Sequence, residues 1–169
     1  MSKQLLMVSV MAMGGAVLSS GAEQAGVGAI ERKDPSLDKL VPKGAAIEKL
    51  AGNFRFTEGP LWIRDGGGHL LFSDIPANAI LKWTPDGKVT PFRKPVFPGP
   101  FPDGQFVGSN GLTLDTQGRL VSCEHGDRRM ARTEKDGSIQ VLADRFEGKR
   151  LNSPNDAVYK KNGDLYFTD

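Results

Sequence analysis

Three segments of this chain share one pattern, and that pattern limits the fold more than any other feature. "GHLLFSD" (Gly68 to Asp74), "GRLVSCE" (Gly118 to Glu124) and "GDLYFTD" (Gly163 to Asp169) each run from glycine through leucine and mostly apolar or small residues to an acid, at spacings of 50 and then 45 residues. Matching second halves follow the first two. "ILKWTPDGKVTPF" (Ile80 to Phe92) and "MARTEKDGSIQVL" (Met130 to Leu142) set Asp86-Gly87 and Asp136-Gly137 again 50 residues apart, each a turn signal between strand-like runs. A first strand precedes each glycine-led segment, at about 58–63, 110–115 and 155–160. Four short strands recurring at such a period predict the blades of a β-propeller, in an all-β fold. A stacked sandwich could space its strands similarly but would not repeat the same turn chemistry at a fixed long period.

Loop lengths then separate two faces. Tight glycine turns ("DGGGH", "TQGR", "KNGD", "PDGK", "KDGS") close one face. The other carries the connections "IPANA" and "HGDRR" and the interblade segments 93–108 and 143–153. Long loops on one face of a rigid scaffold are where binding usually resides. The four prolines of "RKPVFPGPFPDGQF" stiffen such a loop, which at this point reads equally as a binding element or an inert insertion.

The ends of the chain read differently. Lys3 precedes an apolar run from Leu5 to Leu18, and Ser20-Gly21-Ala22 supplies the small residues of a cleavage site. Residues 1–22 are therefore expected to be a secretory signal peptide, 23–44 an N-terminal arm and 45–169 a partial propeller, exported to the periplasm or the exterior. The run is short for a bilayer span, so no membrane attachment is expected after cleavage. Cleavage would change 22 basic against 20 acidic residues to 21 against 20. A nearly neutral chain without a basic block is not expected to bind nucleic acid. Cys123, the single cysteine, reads as a small buried packing residue.

Aligning the blades on Gly59, Gly111 and Asp156 puts Glu58, Asn110 and Asn155 at the start of successive innermost strands, with the extra glycines at 66–67 absorbing a two-residue shift. Such residues converge on the propeller axis. One carboxylate and two carboxamides are hard oxygen donors, suited to Ca²⁺ and usable by Mg²⁺ or Mn²⁺, whereas zinc sites are usually built on His or Cys. Singly, each Asn also reads as a turn residue. His125, in "EHGDRR", either orients substrate beside such a cation or is a solvated loop residue.

Taken together, "FTEGPLW", "LFSDIPANAILKW", "SNGLTLDTQGRLVSCEHGDRRMAR" and "SPNDAVYKKNGDLYFTD" resemble the SMP-30/gluconolactonase family, particularly its secreted bacterial gluconolactonase-like branch, from about Pro35 onwards. The resemblance implies a six-bladed propeller, of which about two and a half blades are present. It also implies one divalent metal, foremost Ca²⁺ with Mg²⁺, Mn²⁺ or Zn²⁺ as alternatives, and hydrolysis of sugar lactones. Glu58 matches the metal-binding Glu of the E-G-P motif. Asn155 matches a channel Asn that binds metal in some relatives and substrate in others; Asn110 and His125 are the further substrate-binding candidates. The general-base Asp of the family is expected beyond Asp169, which makes the chain a fragment whose exposed blade edge could self-associate. An aryl-ester or organophosphate hydrolase, or a noncatalytic carbohydrate- or partner-binding propeller fragment, are the alternatives.

Overall fold

The structure is a computed structural model that describes residues 26–169; the expected signal peptide lies outside the described residues. Two compact units divide between Gly52 and Asn53. In the first, a 3₁₀ turn (Pro35–Lys39) starts at Asp34, whose carboxylate accepts the Ser36 N–H at 2.7 Å. Arg32 then closes the following loop, donating to Asp38 and to the Val41 and Pro42 carbonyls.

The second unit is a partial β-propeller. One blade is an antiparallel sheet of β1 (Thr57–Ile63), β2 (His69–Asp74), β3 (Ala79–Trp83) and β4 (Val89–Arg93), in that order. The next repeats it with β5 (Ser109–Leu114), β6 (Leu120–Glu124), β7 (Arg129–Thr133) and β8 (Ile139–Ala143). A small hairpin, β9 (Arg145–Phe146) and β10 (Lys149–Arg150), leads to β11 (Ala157–Tyr159) and β12 (Leu165–Phe167), which pair as the first half of a third blade.

The turns explain the sequence periodicity. At "TPDGK" the Thr84 N–H donates to the Lys88 carbonyl and Gly87 donates back to Thr84; "EKDGS" repeats both bonds between Glu134, Ser138 and Gly137. The same pair closes β5 to β6 through Gly118 and β11 to β12 through Gly163. All four glycines have φ between 75° and 94°, a left-handed conformation in which a Cβ is strained. Asp86, Asp115 and Asp136 each accept a backbone N–H two residues on, so the aspartate and the glycine specify the turn together.

A four-stranded blade cannot bury both its faces alone, and the core lies between blades. Leu71 and Ile80 of the first blade pack with Val96, Leu112 and Leu120, backed by Leu61 and Ile63. Val121, Cys123 and Met130 of the second face Ala157, Tyr159, Leu165 and Phe167 of the third. Cys123 is thus a packing residue, as expected, and burial pushes its thiol up to about 12.

The acids that end each second strand tie the blades to their surroundings. Asp74 accepts the Arg55 and Phe56 N–H groups, and Asp169 accepts that of Asn152. Arg55 and Asn152 each stand three residues ahead of the first-strand positions Glu58 and Asn155, so the two clamps are equivalent. In the middle blade the longer Glu124, 1% exposed, instead takes Arg93 of β4 at 2.6 Å and Arg129 of β7 at 2.8 Å.

Two outcomes follow. Glu124→Ala leaves the largely buried Arg93 without a carboxylate and Arg129 with Asp127 alone, and is expected to lower stability by about 3 kcal/mol in a urea unfolding experiment. Iodoacetamide at pH 8 should leave Cys123 unmodified in the folded protein and alkylate it rapidly in urea, read by mass spectrometry.

Candidate active site

The innermost strands of the two four-stranded blades begin with the same irregularity. In β1, Glu58 pairs with Ser73 but Leu61 with Leu71; in β5, Ser109 pairs with Glu124 but Leu112 with Ser122. One surplus residue is therefore accommodated at Gly59-Pro60 and again at Asn110-Gly111. Such bulges bend a strand and re-aim its side chains.

The bulges are also where neighbouring blades come closest. A Cβ on Gly59 would lie 2.9 Å from the Leu112 nitrogen, and one on Gly111 would lie 2.5 Å from an Asp156 carboxylate oxygen and 2.8 Å from the Asn155 carbonyl. Only glycine admits that approach. Its products are a 2.7 Å hydrogen bond from the Gly111 N–H to the Asn155 carbonyl and a 2.8 Å bond from the Ser73 hydroxyl to the Asn110 carbonyl. With its one proton spent on Asn110, Ser73 accepts from the buried Ser109 hydroxyl at 2.7 Å. The backbone therefore sets the three positions 58, 110 and 155 on adjacent strands at one end of the sheets.

Their side chains differ. Asn110 is buried, and its carboxamide nitrogen stands 3.4 Å from Nε2 of His125. Burial holds the His125 imidazole below its ordinary value, against the opposing pull of the Phe106 and Pro154 backbone. A neutral ring keeps one nitrogen as an acceptor. Glu58 and Asn155 are exposed, and among the described residues neither side chain has a hydrogen-bond partner. A carboxylate and a carboxamide with unspent oxygens suit a hard cation. No group of three or more His, Cys, Asp or Glu among the described residues is arranged to hold a metal, so such a cation would rest on this mixed set.

The loop between β4 and β5 was left open by the sequence, and it carries residues that motif reading passed over. Asn78, in the β2–β3 turn, accepts the Val96 and Phe97 N–H groups at 3.1 and 2.8 Å and donates to the Phe97 carbonyl at 2.8 Å. The Phe97 ring then lies so close to Gly126, next to His125, that a Cβ there would overlap it. The Asn-to-Arg change between Asn78 and Arg128, fifty residues apart and both with φ near +55°, marks turns of one geometry in two blades.

Residues 56–169 match the family model of the SMP-30/Gluconolactonase/LRE-like region. The chain belongs to that family. A gluconolactonase of Zymomonas mobilis subsp. mobilis is 37% identical over 176 residues, which take in 97% of this chain and 49% of that protein. A solved structure described as a candidate gluconolactonase superposes with a TM-score of 0.67 at 37% identity, over 80% of this chain and 43% of its own. A gluconolactonase of Xanthomonas campestris, described as important in glucose secondary metabolic pathways, gives 0.60 at 36% identity, over 71% and 37%. The chain thus spans about half the length of the relatives it matches, or less.

A pH dependence follows from the histidines. His125 is depressed by burial, and His69 by burial and then by Lys82, so both favour the neutral ring in the fold. Their contribution to stability is complete above the unfolded value of about 6.5 and is lost as the pH falls through the lower folded values. His125→Gln should therefore reduce, without abolishing, the loss of urea stability between pH 7 and pH 5; an unchanged slope would show that His125 is not held neutral.

Proposed function

We propose that this chain is part of a metal-dependent hydrolase of sugar lactones that opens the ring to the aldonic acid. Membership of the gluconolactonase family supports the reaction class. The observation that carries the site is the unpartnered Glu58 carboxylate, just ahead of the bulge at which Gly59 meets the Asn110 backbone. In the overall reaction water adds to the lactone carbonyl carbon, the bond from that carbon to the ring oxygen breaks, and the ring oxygen receives a proton.

Glu58 and Asn155 would hold the divalent cation, foremost Ca²⁺. When bound, that cation supplies Lewis-acid polarisation of the lactone carbonyl. Asn110 presents a carboxamide to the substrate, and its backbone is fixed by Ser73, so the group keeps its place when the ligand leaves. His125, neutral and half-buried, offers a hydrogen bond without adding a charge beside the cation. Residues 1–22 support export of the protein, through the charge and apolar run of a signal peptide.

The test combines binding with turnover. The full-length protein that contains this chain is chelated and titrated with Ca²⁺ by calorimetry, and glucono-1,5-lactone hydrolysis is followed at constant pH before and after the titration, beside phenyl acetate and paraoxon. The expected result is Ca²⁺-dependent lactone turnover. Glu58→Ala should weaken Ca²⁺ binding and cut turnover by about a hundredfold, the equivalent of about 3 kcal/mol. Turnover indifferent to chelation would remove the metal from the reading, and turnover of the aryl ester or the phosphotriester alone would replace the substrate class.

A further inference from the structure

The acid that ends β6 differs from its two counterparts in more than length. Asp74 and Asp169 spend their oxygens on backbone N–H groups at the entry to their own blades, whereas among the described residues the Glu124 carboxylate takes only side chains. The entry to the middle blade is held by other means: Gly108 donates to the Ile75 carbonyl, and its own carbonyl accepts the His125 N–H at 3.1 Å. Glu124 is thereby released for two arginines, and each of them fastens one loop. Arg93 gives Nη1 to Glu124 at 2.6 Å and Nη2 to the Val96 carbonyl at 3.1 Å, at the root of the β4–β5 loop. Arg129 gives Nε to Glu124 at 2.8 Å and pairs Nη2 with Asp127 at 3.0 Å, inside the β6–β7 turn. The Ser122 hydroxyl completes the set, donating at 3.0 Å to the oxygen that Arg93 uses.

One buried carboxylate therefore joins two guanidinium forks and, through them, two loops of different blades. Both loops lead to groups of the candidate site. His125 follows Glu124 directly and opens the β6–β7 turn, whose closing bond runs from the Arg128 N–H to the His125 carbonyl. Asn110, 3.4 Å from the His125 ring, follows Ser109, whose backbone pairs with that of Glu124. The ring also meets the backbone of Phe106, near the far end of the β4–β5 loop. At 1% exposure Glu124 cannot meet a ligand itself, so any influence it has on the site passes through these neighbours. Such a network holds one arrangement firmly, because giving up a bond leaves a charge in a largely buried place without its partner.

We propose that Glu124 is a positioning residue of the candidate site: by tying Arg93 to Arg129 it keeps the β4–β5 loop and the β6–β7 turn in one arrangement and so sets the His125 ring against Asn110. The proposal rests on the lactonase reading for its kinetic test and on no activity for its spectroscopic one. Both tests use the full-length protein that contains this chain. Glu124→Gln keeps the side-chain volume and removes the charge, while Arg93→Lys keeps the charge but cannot fork between Glu124 and Val96. Far-UV circular dichroism establishes that each variant is folded. In the ¹⁵N-labelled resting protein the two His125 imidazole nitrogens, assigned by their loss in His125→Gln, should be well separated, as in a ring held in one tautomer. In either variant they should draw together as the tautomers exchange. With Ca²⁺ present, KM for glucono-1,5-lactone should rise about tenfold in Glu124→Gln, and less in Arg93→Lys, while kcat stays within about twofold. Ca²⁺ affinity by calorimetry should not change, since Glu58 and Asn155 lie outside both loops. In the His125→Gln background the Glu124 substitution should add less than about twofold, because residues that act through one group are not additive. A merely structural glutamate would give the same increment in both backgrounds. His125 nitrogens alike in the wild type and both variants overturn the proposal. So does a KM that Glu124→Gln leaves unchanged, or raises equally with and without His125. A wild-type protein that turns over no lactone refutes the lactonase reading, and the ring nitrogens then decide the positioning by themselves.

Discussion

The approach of the innermost strands at Gly59 and Gly111 is the constraint on which the rest of the structure depends. Here the backbone of one blade touches the next with no side chain between them, and two hydrogen bonds, Gly111 to Asn155 and Ser73 to Asn110, use the proximity. Any larger residue would push the blades apart by the width of its Cβ. The interblade clusters around Ile80 and Met130 would then lose close packing, because dispersion falls steeply over fractions of an ångström.

The same approach shapes the candidate site. Since the strands bulge where they meet, the residue before each glycine sits at a turn of the backbone and not within a regular pleat. Glu58 and Asn155 keep their oxygens free while Asn110 is buried against His125. At Glu58-Gly59 and Asn110-Gly111 the packing of the blades and the candidate site thus fall on adjacent residues. Ser73 links the two, because the register that pairs it with Glu58 also delivers its hydroxyl to the Asn110 carbonyl of the neighbouring blade.

Charge does complementary work further out. Asp74 and Asp169 accept backbone N–H groups of the chain entering their own blades, so the entry into each first strand is held by the end of the second. Glu124 stands at the equivalent place with one more methylene and reaches outward to Arg93, joining the outer strand of one blade to the inner part of the next. One repeated acid therefore serves two tasks according to side-chain length. With two arginines on one carboxylate, the buried charge is compensated on both oxygens.

Much of this was determined locally and could be read from the sequence. The Asp-Gly turns, the glycine-led second strands and the alignment of Glu58 with Asn110 and Asn155 all follow from short-range chemistry, since a left-handed turn needs glycine whatever surrounds it. The repeat gave the blades, and the quoted motifs gave the family. Tertiary structure alone decided what spans long separations. That Asn78 would hold Phe97, that Phe97 would lie against Gly126, and that the proline-rich loop would present Phe101 and Phe106 beside His125 could not be read from spacing, because these contacts join segments without a common period. The two uses of the repeated acid were hidden for the same reason. A residue's identity fixes what it can bond, but only the packing of one blade on another fixes what lies within its reach.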